Sequence, residues 1–180
     1  MGFLPQYYII KDALLYETGL NANNNNYSAT LSSPIIAING ESHSTIHTLT
    51  SGAPTSASLT QCGIMLFASS YAAVSDSPTN DRPFQLYLSE DHNEDKLIVD
   101  KLDHLILKAT SNCKKSFENG KVYTNITYTN SGTEFEVSTV RIAVAVNTTA
   151  TKSPTFMIYS EPIDPITIGT GETVQIKIEV

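Results

Sequence analysis

The chain has 180 residues, 41% hydrophobic and 16% charged, enough to bury one good core and too apolar for the disordered class. A formal charge of -7 and a pI near 4.9 oppose any function that needs a basic face, nucleic-acid binding above all. No run reaches the roughly 18 apolar residues of a membrane-spanning helix.

At the N-terminus, Phe3, Leu4, Tyr7, Tyr8, Ile9 and Ile10 form an apolar piece without the basic flank and unbroken core of a signal peptide, so synthesis in a cytoplasm is expected. Four consecutive asparagines, Asn23 to Asn26, then read as a polar linker. Residues 1–26 are therefore set apart from a domain at 27–180. The apolar piece reads either as the first strand of that domain or as an arm that packs on another subunit, with those six side chains as its partner-binding surface.

Beyond the linker the dominant period is two. Residues 34–38, 45–50, 63–68, 84–88 and 155–159 are short strand candidates, and residues 122–128, 139–146 and 172–180 are stronger ones. In the last, Val174, Ile176, Ile178 and Val180 share one face and Thr173, Gln175, Lys177 and Glu179 the other. Asn39-Gly40 and Asn119-Gly120 predict type I′ hairpin turns, Pro162 and Pro165 predict a break after Tyr159, and residues 69–82 predict an exposed loop. The one helical spacing lies at 96–108, where Ile98, Leu102, Leu105 and Ile106 would share a face, although Leu105-Ile106-Leu107-Lys108 reads equally as a strand. The sum is an all-β protein, an antiparallel, jelly-roll-like sandwich with at most one short helix.

Candidate chemistry is sparse. His43 and His47 are four apart, but on a strand that is about 13 Å, too far for one metal. Asp91, Asn93 and Asp95 match the first three ligand positions of a calcium loop, yet Lys96 and Leu102 stand where its glycine and bidentate glutamate belong. That stretch reads as a solvated loop. Cys62 and Cys113 read as buried or idle thiols, and the sequons at Asn26, Asn125 and Asn147 carry little weight in a chain so rich in Asn, Ser and Thr. No nucleophile elbow or phosphate loop is present, so the expectation is a non-enzyme with no catalytic residue, cofactor or metal.

The last third orders its elements in a recognisable way: Phe117-Glu-Asn-Gly-Lys-Val-Tyr, then Ile126-Thr-Tyr-Thr-Asn-Ser-Gly-Thr-Glu, a strand, Phe156-Met-Ile-Tyr-Ser-Glu-Pro-Ile-Asp-Pro, and a Gly171-Glu-Thr turn before the final strand. This resembles a β-sandwich module of tailed-bacteriophage virion proteins over residues 117–180. The chain departs from that pattern at Thr139-Val140-Arg141, where Glu-Ile-Gly is common, and at Ser160, where an arginine is common. The resemblance implies a structural component of the virion, on the capsid, neck, tail or fibre, that assembles with other virion proteins in a homo-oligomer or symmetric array. The acidic charge and the lack of a long apolar run leave no nucleic-acid or membrane partner expected. The alternative is a glycan-binding adhesin or receptor-binding module that reads a host surface glycan through tyrosines and loop residues such as Asn80 and Asp81.

Overall fold

The computed structural model describes residues 2–20, 26–50, 84–107, 113–146, 148, 152 and 154–179. One helix, α1 (Pro5–Leu20), precedes nine strands: β1 (Asn26–Ile36), β2 (Ser42–Thr50), β3 (Phe84–Ser89), β4 (Asp103–Leu107), β5 (Cys113–Glu118), β6 (Lys121–Thr129), β7 (Phe135–Ala145), β8 (Thr155–Ile168) and β9 (Thr173–Glu179). They form antiparallel sheets in the orders β4-β3-β7-β8, β5-β6-β9 and β1-β2. The architecture is an all-β sandwich, as the period-two pattern predicts.

The N-terminal piece is neither a strand nor a free arm. Pro5 suits a first helical turn, because its missing N–H would be unpaired there anyway, and buried Tyr7 and Ile10 with partly buried Ala13 recur three apart to make an inward stripe. Tyr7 and Ile10 join the main core, and Leu4 joins a smaller cluster with Tyr87, Ala143 and Met157. Buried Gln6 ties the helix to two strands, its Nε2 donating to Met157 O and its Oε1 accepting from Ile36 N at 3.1 Å. Gly2 lies against β8, where Ser160 N donates to Gly2 O at 2.7 Å and a Cβ at position 2 would sit 1.9 Å from Ser160 O. Only glycine tolerates that approach.

Three further expectations are corrected. Residues 96–102 form a loop, and the strand reading holds beyond it as β4. Burying Lys96 among carboxylates consumes the residue that a helix would have put on its polar face. The prolines do not end β8: Thr139 pairs Pro162 and Val137 pairs Ile166, so both prolines fall in or beside a bulge on an edge strand, where a missing N–H costs nothing. Of the two Asn-Gly turns, Asn119 (φ 51°) and Gly120 (φ 79°) have the I′ signature, whereas at Asn39-Gly40 only Gly40 has positive φ. There Asn39 Oδ1 instead accepts from Glu41 N at 3.1 Å, a local turn that needs no left-handed Asn. The expected strand at 63–68 and loop at 69–82 lie outside the described residues.

The core runs between the sheets. Leu86, Leu88, Val137, Val140 and Ile142 from the four-stranded sheet share it with Ile126 and Ile178 of the three-stranded sheet and with Ile35 and Ile46 of the β1-β2 pair. β7 is buried on both faces, unlike the half-buried strand its alternation suggests. Its second face lies under the chain at 91–103.

Because α1 supplies core rather than a tether, truncating it should weaken the sandwich itself. Ile10→Ala is expected to cost about 2–5 kcal/mol in urea unfolding followed by circular dichroism, and deletion of residues 2–20 to lower the unfolding midpoint further. A native-like midpoint for the deletion would show that the sandwich does not depend on the helix.

Candidate functional site

Two polar clusters and one apolar gap stand out from the core. The first cluster is built on Arg141, a charged residue in the middle of β7 whose side chain is fully buried. Its Nη2 donates to Asn93 O at 2.6 Å and to Asp91 O at 3.3 Å, and its Nη1 reaches Ser160 Oγ at 3.4 Å. Nε faces the equally buried Asp103 carboxylate at 3.5 Å, an ion-pair contact without hydrogen-bond alignment. Burial pushes the guanidinium pKa down, opposed by Asp103, Asp91 and Asp100.

The loop that covers Arg141 is folded by its own carboxylates. Asp91 Oδ1 accepts from Asn93 N at 2.9 Å, Asn93 Oδ1 from Asp95 N at 3.1 Å, and Asp100 Oδ1 from Leu102 N at 2.8 Å. These are Asx turns, the reason for Asp and Asn at alternate positions. Lys96 Nζ sits among three carboxylates, 3.2 Å from Asp91, 2.9 Å from Asp100 and 2.8 Å from Asp103. Burial pulls its pKa down, but the three carboxylates outweigh that and raise it. Asp91 is held below the usual carboxylate range by the Asn93 N–H and by Lys96, and Asp100 by Lys96 and the Leu102 N–H. Lys96, which breaks the calcium-loop pattern, is the cation of this loop.

The second cluster is the stretch carrying the resemblance. Buried Asn130 donates through Nδ2 to Thr133 O at 3.0 Å, Ile168 O at 3.1 Å and Gly169 O at 3.3 Å, while its Oδ1 accepts from Gly132 N at 2.9 Å. Its backbone pairs with the second turn as well, Asn130 N to Glu172 O at 2.9 Å and Gly171 N to Asn130 O at 2.7 Å. Thus the Thr-Asn-Ser-Gly-Thr and Gly-Glu-Thr turns are one clasp, joining the two crossings between sheets, β6 to β7 and β8 to β9. Arg141 and Ser160 are also partners, facing one another across the β7-β8 ladder.

Beside the clasp the described residues leave a space between the sheets. An apolar gap of about 230 Å³ lies between the sheets, floored by Val137, Val140 and Ile168 and walled by Val174, Ile176 and Ile178. On the β8 side it meets Ile163 and Ile166, the latter 44% exposed. Glu161, Gln175 and Lys177 border it with polar groups. Such a lining can hold aliphatic groups of a partner and offers a few polar contacts for orientation.

The predicted partner-binding residues divide. Leu4, Tyr7 and Ile10 are inside this chain's own core, and Phe3 stacks on Tyr7 at 4.1 Å and meets Tyr159 edge-on at 5.4 Å. Ile9 is half-buried, and Tyr8, 47% exposed, faces outward. His43 packs edge-on against Phe156, and the side chains of His47 and Cys113 lie outside the described residues, as do Cys62, Asn80 and Asp81. Among the described residues no group of three His, Cys, Asp or Glu side chains is placed to hold a metal ion.

Sequence reasoning missed Arg141, Lys96, Asp103 and Asn130. The available signals were an arginine inside an apolar alternation, and Asp and Asn two apart in a short loop.

No protein-family model matches the chain, and no curated protein or solved structure matches it.

Two measurements follow from the clusters. Asp91 and Asp100, with folded pKa values below 3.8, contribute stability that is present above that value and lost as pH falls through the lowered ones. Lys96, raised above 10.5, contributes stability that is full below 10.5 and lost above its folded value. The cluster's contribution should therefore be flat from about pH 5 to about pH 9, and Lys96→Met should destabilise the protein at pH 7 by about 3 kcal/mol while flattening the acid limb of urea-midpoint against pH. Asn130→Asp, which replaces an amide donor by a carboxylate facing three carbonyls, should cost about 1–3 kcal/mol or more in the same assay.

Proposed function

We propose that the chain is a non-enzymatic structural component of a bacteriophage virion, a capsid-decoration, neck, tail or fibre-associated protein that works by protein-protein assembly in a homo-oligomer or symmetric array. The assignment to a phage rests on the resemblance over residues 117–180. Support for an assembly role comes from one observation above all: among the described residues an apolar gap lies at the β8-β9 side, next to the clasp that bonds the two turns together. A preformed apolar recess on a rigid frame lowers the ordering cost that a partner must overcome on docking. Repetition in a symmetric particle then multiplies weak contacts into avidity.

On this reading the protein is made in the host cytoplasm and resides in the particle. The polar outer face of β5-β6-β9 suits a solvent-facing wall there. Lys121 pairs with Glu179 at 2.9 Å and Lys177 with Glu118 at 2.6 Å, and Lys177 lies 4.2 Å from the centre of the Tyr123 ring. Exposed pairs of this kind add little stability and serve mainly to keep the face wet.

Mass spectrometry of gradient-purified particles from a host that makes this chain is expected to find it at a fixed ratio to the major capsid protein. Its absence from the particles would overturn the proposal. A glycan-array signal competed away by a single sugar would transfer the assignment to an adhesin.

A further inference from the structure

The chain carries two Asn-Gly pairs, at Asn39 and Asn119, and such a pair is chemically labile. The glycine amide nitrogen can attack the side-chain carbonyl carbon of the asparagine, Cγ, closing a five-membered succinimide ring that expels ammonia. Water then opens the ring at either carbonyl, leaving aspartate or isoaspartate, in which the backbone runs through the side chain. Closure needs a glycine N–H without a hydrogen bond and an asparagine amide that is free to turn. It also needs an asparagine ψ of about -120°, the value found in a type II′ turn, because there Cβ eclipses the attacking nitrogen.

Both pairs are exposed, so solvent access does not distinguish them, but their hydrogen bonds and backbone angles do. Gly40 N donates to Ala37 O at 2.8 Å, Asn39 Oδ1 accepts from Glu41 N at 3.1 Å, and the φ of Asn39 is not positive. A negative φ with ψ near about -120° falls outside the regions open to an L-residue. Asn119 and Gly120 form the tip of the β5-β6 hairpin, between the paired residues Glu118 and Lys121. Among the described residues neither the Asn119 side chain nor Gly120 N makes a hydrogen bond, and a Cβ on Gly120 would meet nothing within 4 Å. The φ of Asn119 is already 51°. Types I′ and II′ share a positive φ at this residue and differ by a flip of the peptide between the two central residues. That flip carries Asn119 ψ to the ring-closing value while the hairpin keeps its two-residue register. Gly120 follows it because glycine adopts either sign of φ. Below the tip, Lys121 with Glu179 at 2.9 Å and Lys177 with Glu118 at 2.6 Å tie the hairpin base to β9.

We infer that Asn119 is a site of spontaneous modification, closing on Gly120 N to a succinimide and opening to aspartate and isoaspartate, whereas Asn39 is protected by its own turn. In the closure the bond from Gly120 N to Asn119 Cγ forms and the bond from Cγ to Nδ2 breaks. The proton given up by Gly120 N leaves with the ammonia, and water supplies the oxygen and hydrogens of the opened product. A neutral amide thus becomes a carboxylate beside Glu118, in a chain already at -7. The isomer also inserts a backbone carbon into a turn built for two residues, next to Phe117, which is 74% exposed. Conversion therefore recasts the hairpin tip on a clock set by time and pH, and it does not depend on the virion reading.

The test incubates the full folded chain in mildly alkaline buffer made with heavy-oxygen water, so that ring opening labels the product. Peptide mapping with electron-transfer fragmentation then places the label and tells isoaspartate from aspartate. Label is expected at residue 119 on the order of tenfold faster than at residue 39, where two hydrogen bonds must first be released. In guanidinium chloride, with both turns unfolded, the two pairs should react at similar rates. Equal rates in the folded chain, faster labelling at 39, or no label at 119 over a period in which the unfolded chain converts, overturns the inference. An advantage for 119 that persists in guanidinium chloride overturns it as well, because the fold would then not be its cause.

Discussion

The structure turns on the burial of one guanidinium. Arg141 lies at the centre of β7, the strand that pairs with both β3 and β8, so its position is fixed by two ladders before its side chain finds a partner. A buried cation without ligands is prohibitive, and the ladders leave no route to solvent. The chain at 91–103 must therefore bring backbone carbonyls and Asp103 to it, and that requirement shapes the loop. Lys96 then balances the acidic groups that the loop needs for its own turns. What reads as a charged surface loop is the lid of the four-stranded sheet, and it explains why β7 is buried on both faces.

The same economy governs the opposite end of the sandwich. Chain crossings between sheets expose backbone groups that neither ladder pairs, and here two crossings satisfy each other. Asn130 gives three carbonyls a donor and the Gly132 N–H an acceptor, and the hairpin of backbone bonds to Gly171 and Glu172 completes the clasp. Holding β6-β7 against β8-β9 in this way fixes how far apart the two lips of the gap stand. The shape of the open side is thus a consequence of turn chemistry some distance from the apolar residues that line it.

Edge management follows from these two anchors. β8 is long because it must serve Arg141 through Ser160 and also reach the clasp at Ile168, and a strand of 14 residues has a long edge to protect. Residues 2–4, Ala37-Ile38 and two prolines share that task. β9, seven residues long, starts just beyond the clasp and pairs with β6 along its whole length.

Sequence alone determined what is local and periodic. The alternation of Val174, Ile176 and Ile178 gave β9 its faces, that of Val140, Ile142 and Val144 placed β7, and Asn119-Gly120 identified a hairpin, because period and backbone freedom are properties of neighbouring residues. It failed where several readings fit one local pattern. The cluster Tyr7-Tyr8-Ile9-Ile10 is too uniformly apolar to separate a helix from a strand, and only packing of Ile10 and Gln6 against β1 and β8 decides it. Pro162 and Pro165 forbid a central strand but not a bulged edge, and the edge exists only once the sheet order is known. Arg141, Lys96 and Asp103 are separated by up to 45 residues, so their convergence, and with it the burial of three charges, was decided by the pairing of β3, β4 and β7.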